Sequence, residues 1–176
     1  MTTAGNAAGV AWFDALPADK AERELLSCCA STAWARAVAA GRPYRDLDLV
    51  HAAANRAFGT LTDVDIDEAL AAHPRIGQRV VGQSREAGWS RTEQSGAASA
   101  DEATQAALAA GNRVYEERFG QVFLICATGL SAEQMLAALH ARLDHDSVTE
   151  RQVVRVELQK IVRLRLDRLL AGAGAG

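Results

Sequence analysis

A chain of 176 residues, 49% hydrophobic and 23% charged with only three prolines, has the make-up of a folded globular protein and the length for one buried core. No apolar run approaches the roughly 20 residues of a membrane span. A net charge of −3 with a pI near 5.8 gives no general attraction for nucleic acid or anionic lipid, so neither partner is expected.

Pro17 is a good first helical residue, and the Ala-, Leu- and Glu-rich sequence that follows predicts one helix over 17–40, or two broken near Ser31, stopped by Gly41-Arg42-Pro43. Helices are predicted over 46–58, closed by Gly59, and over 63–73, with Thr62 or Asp63 as the cap. Residues 74–89 hold three glycines, a proline and little periodicity, which reads as a loop open to function. Ser90-Arg91-Thr92-Glu93 matches a capping box at the head of a helix, and helical composition continues from Asp101 to Arg118. Val122 to Ala127, between Gly120 and Gly129, is too short for a buried helix and is expected to be extended and buried. Ser131 to Gln134 forms a second capping box, opening a helix to about Leu143, and a last helix spans about 148–170. The expected fold class is all-α: a single compact multi-helix domain over 1–170 with one short buried extended segment at about 122–127, and a disordered tail over 171–176.

Three side chains stand out on apolar faces. His73 follows Ile66, Ala69 and Leu70 at seven, four and three residues, so it shares their inward face, and Pro74 directly after it cannot continue a regular helix. That places an imidazole at a pocket edge, or leaves it a hydrogen-bonded core residue. Glu93, at the third position after Ser90, is either a cap or a ligand contact beside Gln94. Arg165 has Ile161, Val162 and Leu169 at helical neighbour spacings, and a buried guanidinium must be paired or bind an anion. Glu157, also among apolar residues, is its candidate internal partner. His140, Asp144, His145 and Asp146 cluster in sequence but not on one helix face, so no metal site is expected. Cys126, in an apolar run without a basic neighbour, reads as an inert thiol. The other two cysteines, Cys28 and Cys29, are adjacent; with an odd total and no leader pattern in MTTAGNAAGV, a reducing cytoplasm fits.

The stretches AHPRIGQ, SRTEQSGA, YEERFGQVFLICATG and LQKIVRLRLDRL, together with the early CCASTAWARAVAAGRPY, occur in the order found in one enzyme family. From about Phe13 to Leu170 the chain resembles the 2-oxo-4-hydroxy-4-carboxy-5-ureidoimidazoline (OHCU) decarboxylases of urate breakdown. The resemblance implies an all-α, commonly dimeric enzyme with neither metal nor organic cofactor, converting the ureidoimidazoline to S-allantoin with loss of carbon dioxide. It implies His73 as the proton donor, with Glu93 and Arg165 in the catalytic set. It further implies substrate contact at Pro74, Ser90, Arg91, Thr92, Glu93 and Gln94, and at Phe123, Leu124, Ile125, Cys126 and Ala127. Side-chain identity is expected to matter less at Arg91, Thr92 and Leu124. The chemistry suits these residues: decarboxylation leaves an electron pair on a ring carbon, to be stabilised and then protonated on one face, and a histidine shuttles protons near neutral pH. Backbone groups of an extended Phe123 to Ala127 segment, without strand neighbours, would be open to the planar ring. The competing readings are a non-catalytic helical ligand-binding or interaction domain, and a related enzyme acting on another ureido or imidazoline compound.

Overall fold

The computed structural model describes residues 3–173, and among them every regular element is a helix. In chain order these are α1 (Thr3–Ala15), α2 (Ala18–Leu26), α3 (Thr32–Ala40), α4 (Leu47–Gly59), α5 (Asp63–Ala71), α6 (Arg85–Glu93), α7 (Ser95–Ala98), α8 (Glu102–Phe119), α9 (Ala132–Arg142) and α10 (Ser147–Ala173). The all-α class holds. Two compact units divide the chain: 1–69 with 159–176, and 70–158. Helix α10 gives its residues 147–158 to the second unit and the rest to the first.

In the first unit α2 packs on α3, and α3 and α1 pack on α4. The break near Ser31 is real: Ser31 caps α3 by accepting from the Trp34 N–H, so 17–40 is two helices. Phe13, Leu25, Trp34, Val38, Val50, Leu166 and Leu170 fill the core, and the Trp34 indole donates to the Ala54 carbonyl at 3.1 Å. Helix α1 was not foreseen, since its glycines and alanines carry little amphipathic signal; Val10 and Phe13 fasten it through burial instead. At the other end α10 continues through Ala173, past the expected stop at Leu170. The last part of the expected tail, 174–176, lies outside the described residues.

The second unit is built on α8 against α9, with the short α7 on α9. Its core gathers Leu108 and Tyr115 from α8, Met135 and Leu139 from α9, and Phe123 and Ala127 from the segment between them. The predicted capping box at Ser131 is in place with both of its bonds, Asp101 caps α8 by accepting from the Thr104 N–H, and Gly120 closes α8 in the left-handed conformation. Val122 to Ala127 has no regular structure, with Phe123, Leu124 and Ala127 buried as expected.

A tight approach joins α7 to the turn before α9. A Cβ on Gly96 would stand 2.1 Å from the Leu130 carbonyl oxygen, a backbone atom with no freedom to rotate away. Gly96→Ala is expected to cost about 1–3 kcal/mol, measured as a lower denaturant midpoint; an unchanged midpoint would contradict this packing.

Candidate active site

The proline decides where the histidine stands. Helix α5 ends at Ala71, so His73 lies two residues past it, not on its last turn as the periodicity suggested. Pro74 biases its predecessor away from the helical region, and the His73 N–H still reaches the Leu70 carbonyl at 2.9 Å. The imidazole is half-buried with its Nε2 shielded from solvent. It lines an open cleft of about 370 Å³ with Pro74, Arg79, Glu86 and Ser90.

The loop after His73 is held at successive residues. Ile76 inserts into the core of the second unit. Buried Asn112 of α8 donates to the Ile76 carbonyl at 2.8 Å. Gln94 accepts from the Gly77 N–H at 3.2 Å and faces the Pro74 carbonyl with its amide nitrogen at 3.5 Å. Arg75 makes a two-pronged pair with Glu116 of α8, at 2.5 and 2.7 Å. Asn112 and Glu116 escaped the sequence reading, although Leu108 and Tyr115, four before and three after Asn112, mark it as inward by the spacing that singled out His73.

The Arg75 guanidinium holds the Glu116 carboxyl below its ordinary value. A depressed carboxylate contributes stability above its unfolded value, near 4.5, and loses it as pH falls through the folded one. Thermal melts of the wild type should therefore show an acid-side loss of stability that is smaller in Glu116→Gln. Equal acid slopes would contradict the brace.

The sequence block 90–94 sits at the opposite end of a helix from the one predicted. Ser84, not Ser90, caps α6, accepting from the Ala87 N–H at 3.2 Å, and Glu93 is the last residue of that helix. The capping box at Ser90 is thus overturned, and with it the reading of Glu93 as a cap. Both serines fit an N-cap, but starting at Ser84 puts Glu86 in the first turn, where the helix dipole favours it, and turns Ser90, Glu93 and Gln94 to one buried face. Arg91 and Thr92 fall on the exposed side, Arg91 donating to the Gly82 carbonyl at 2.8 Å and Thr92 to the Gly88 carbonyl at 3.1 Å. The predicted loop accordingly ends at Ser84, not at residue 89.

Phe123 to Ala127 lines neither the His73 cleft nor the neighbouring one beside Gln94 and Arg91. Its backbone is not all open, contrary to expectation. Arg142 donates to the Leu124 carbonyl at 2.7 Å, the Cys126 N–H donates to Glu157 at 2.8 Å, and Leu130 donates to the Ala127 carbonyl at 3.0 Å. Glu157, the expected internal partner of Arg165, is the carboxylate that accepts from the Cys126 N–H. Cys126 is half-buried, more open than expected.

Behind this segment lies a buried charge cluster. Glu150, fully buried, accepts from Arg142 at 2.5 and 2.8 Å, from the Tyr115 hydroxyl, and meets His145 Nδ1 at 2.8 Å. His145 is therefore engaged with Glu150. Arg165 belongs to the first unit; it is buried as its spacing predicts, near enough to Cys29 for its charge to oppose the rise of that thiol, which burial pushes up to about 12.

Among known proteins, residues 14–167 match the OHCU decarboxylase family. The chain is 30% identical over 154 residues to the uric acid degradation bifunctional protein TTL of Arabidopsis thaliana, covering 85% of this chain but 47% of that one, so it spans about half of the bifunctional protein. It is 30% identical over 138 residues to a 2-oxo-4-hydroxy-4-carboxy-5-ureidoimidazoline decarboxylase of Amia calva, covering 77% and 79% of the two chains. A solved OHCU decarboxylase in the presence of (S)-allantoin superposes with a TM-score of 0.72 at 28% identity, over 84% of this chain and 96% of that one. Since the match over 14–167 takes in the His73 loop, the end of α6 and the segment after α8, this chain belongs to the OHCU decarboxylase family.

Proposed function

We propose that this chain decarboxylates 2-oxo-4-hydroxy-4-carboxy-5-ureidoimidazoline to (S)-allantoin in urate breakdown, with His73 as the proton donor. The observation that carries the reading is the family match over 14–167, which includes the cleft where His73 and Ser90 meet. In the reaction the bond from the ring carbon to the carboxyl carbon breaks, carbon dioxide leaves, and the electron pair stays with the ring, delocalised through its adjoining unsaturated bonds. A proton delivered to one face then fixes the handedness of the product. An imidazole held half-buried beside a braced loop suits that delivery, because geometry decides the face and histidine is the side chain suited to general acid–base work. Glu93 and Gln94 hold the hydroxyl and ureido groups, with Gln94 also fastening the loop. Both side chains are buried, so their contacts are stronger than on an open surface.

The same reading includes a homodimer, supported by the family resemblance, and the cytoplasm, supported by three cysteines that form no disulfide among the described residues. No helix among the described residues is long and apolar enough to cross a membrane. Allantoin is the direct test of the ligand class. A product bound by the native state raises the melting temperature, by roughly 2.7 kcal/mol of stability at a hundredfold excess over Kd. A melting temperature unmoved by saturating allantoin would speak for the related-substrate reading.

A further inference from the structure

Among the described residues lining the His73 cleft, Arg79 is the one with a permanent positive charge. Two arginines of the flanking segments are committed: Arg75 to Glu116 and Arg91 to the Gly82 carbonyl. Arg79 is exposed and stands in no hydrogen bond or ion pair among the described residues. It also lines the neighbouring cleft, of about 670 Å³, together with Arg91 and Gln94. Its placement is not left to a free loop. Gly77 and Gly82 both adopt positive φ, 81° and 113°, as glycine allows, and each is pinned from the end of α6. Gln94 accepts from the Gly77 N–H, and Arg91 donates to the Gly82 carbonyl. Gln78 to Val81 is therefore a short strap between two fixed glycines, carrying one guanidinium at the mouth of the cleft. Glu86 lines the same cleft with the opposite charge, so the site is no general anion trap.

We propose that Arg79 is a specificity-determining residue that recruits the substrate through its carboxylate, an inference that rests on the decarboxylase reading. The substrate is an anion because of the one group that the reaction removes, so a cation at the cleft mouth distinguishes reactant from product. The position outside the buried part of the site follows from the energetics. A guanidinium locked onto the carboxylate throughout would stabilise the reactant more than a transition state in which that charge moves into the ring, and would slow the bond cleavage. An exposed arginine attracts the anion over a distance, holds it weakly in water and does not hold the product after carbon dioxide has gone.

This role shows as a split between KM and kcat. In Arg79→Gln, KM for the freshly generated ureidoimidazoline should rise about tenfold, the loss of one charge-assisted hydrogen bond, with kcat within about twofold of wild type. The fall of kcat/KM from low to physiological salt, present in wild type, should flatten in the same variant. Arg79→Lys should restore most of both, since it returns the charge. Arg113→Gln removes the same charge from an exposed position on α8 outside both clefts and should match wild type. Arg79→Gln with a wild-type KM and salt slope, or with a loss confined to kcat, overturns the assignment while an active wild type keeps the decarboxylase reading standing. A wild type that gives no acceleration at all defeats that reading and this inference together.

Discussion

Replacing His73 with asparagine is expected to leave a folded protein that no longer speeds the decay of the ureidoimidazoline. General acid catalysis contributes about 10²–10⁴ in rate, so kcat should fall by that range, towards the spontaneous reaction. The fold should survive because other residues also fix this corner: Ile76 in the core, Asn112 on the Ile76 carbonyl, Gln94 on Gly77 and Glu116 on Arg75. An unchanged circular dichroism spectrum and melting temperature would establish that point. Full activity in the folded variant would remove His73 from the chemistry and leave it as a structural histidine at the cleft edge.

The largest expected loss of stability lies away from the cleft, in the cluster behind Phe123. Glu150→Ala withdraws the carboxylate from Arg142, Tyr115 and His145 at once, leaving a guanidinium buried over the Phe123 ring at 4.7 Å without its counter-charge. Breaking a buried pair by removing one partner costs about 3–5 kcal/mol, a large share of the roughly 5–15 kcal/mol by which domains are stable. Tyr115→Phe, which removes only a hydroxyl, should cost about 1 kcal/mol. Urea unfolding of the two variants would compare these directly. A Glu150→Ala midpoint within the error of Tyr115→Phe would mean that the cluster is not a charge-dependent support. Because Arg142 also holds the Leu124 carbonyl, the cluster links the buried charge to the path of the 122–127 segment.

The residues that apolar spacing brought forward behaved as that spacing implies, and the errors came from endings. Arg165 is buried while Arg163, two positions away, is exposed, because one helical face separates them. His73 was traced to a helix edge, but periodicity does not record where the hydrogen-bond ladder stops; Pro74 cut it at Ala71. At 84–94 two serines offered caps within one window, and a capping box is a local pattern that a better tertiary arrangement outweighs. The Ser90 start would have left Glu93 and Gln94 on the first turn, whereas the Ser84 start puts them on the buried face. Arg142 is marked as inward by the same rule: Leu139, Ala138 and Met135 precede it by three, four and seven residues, like the apolar neighbours of Arg165. What lies beyond sequence is the long-range pairing, such as Gln94 with Gly77 or Glu157 with Cys126, since each joins residues whose separation carries no periodic signal.

The most direct test of the decarboxylase assignment is to form the unstable ureidoimidazoline in the cuvette from urate with the two preceding enzymes, then follow its absorbance and the circular dichroism of the allantoin produced. Wild type and His73→Asn are run beside a blank. Wild type should give rapid decay with a growing S-allantoin signal, and the variant the blank's slow decay to racemic product. Well-folded wild type that leaves the decay at the blank's rate and the product racemic would contradict it.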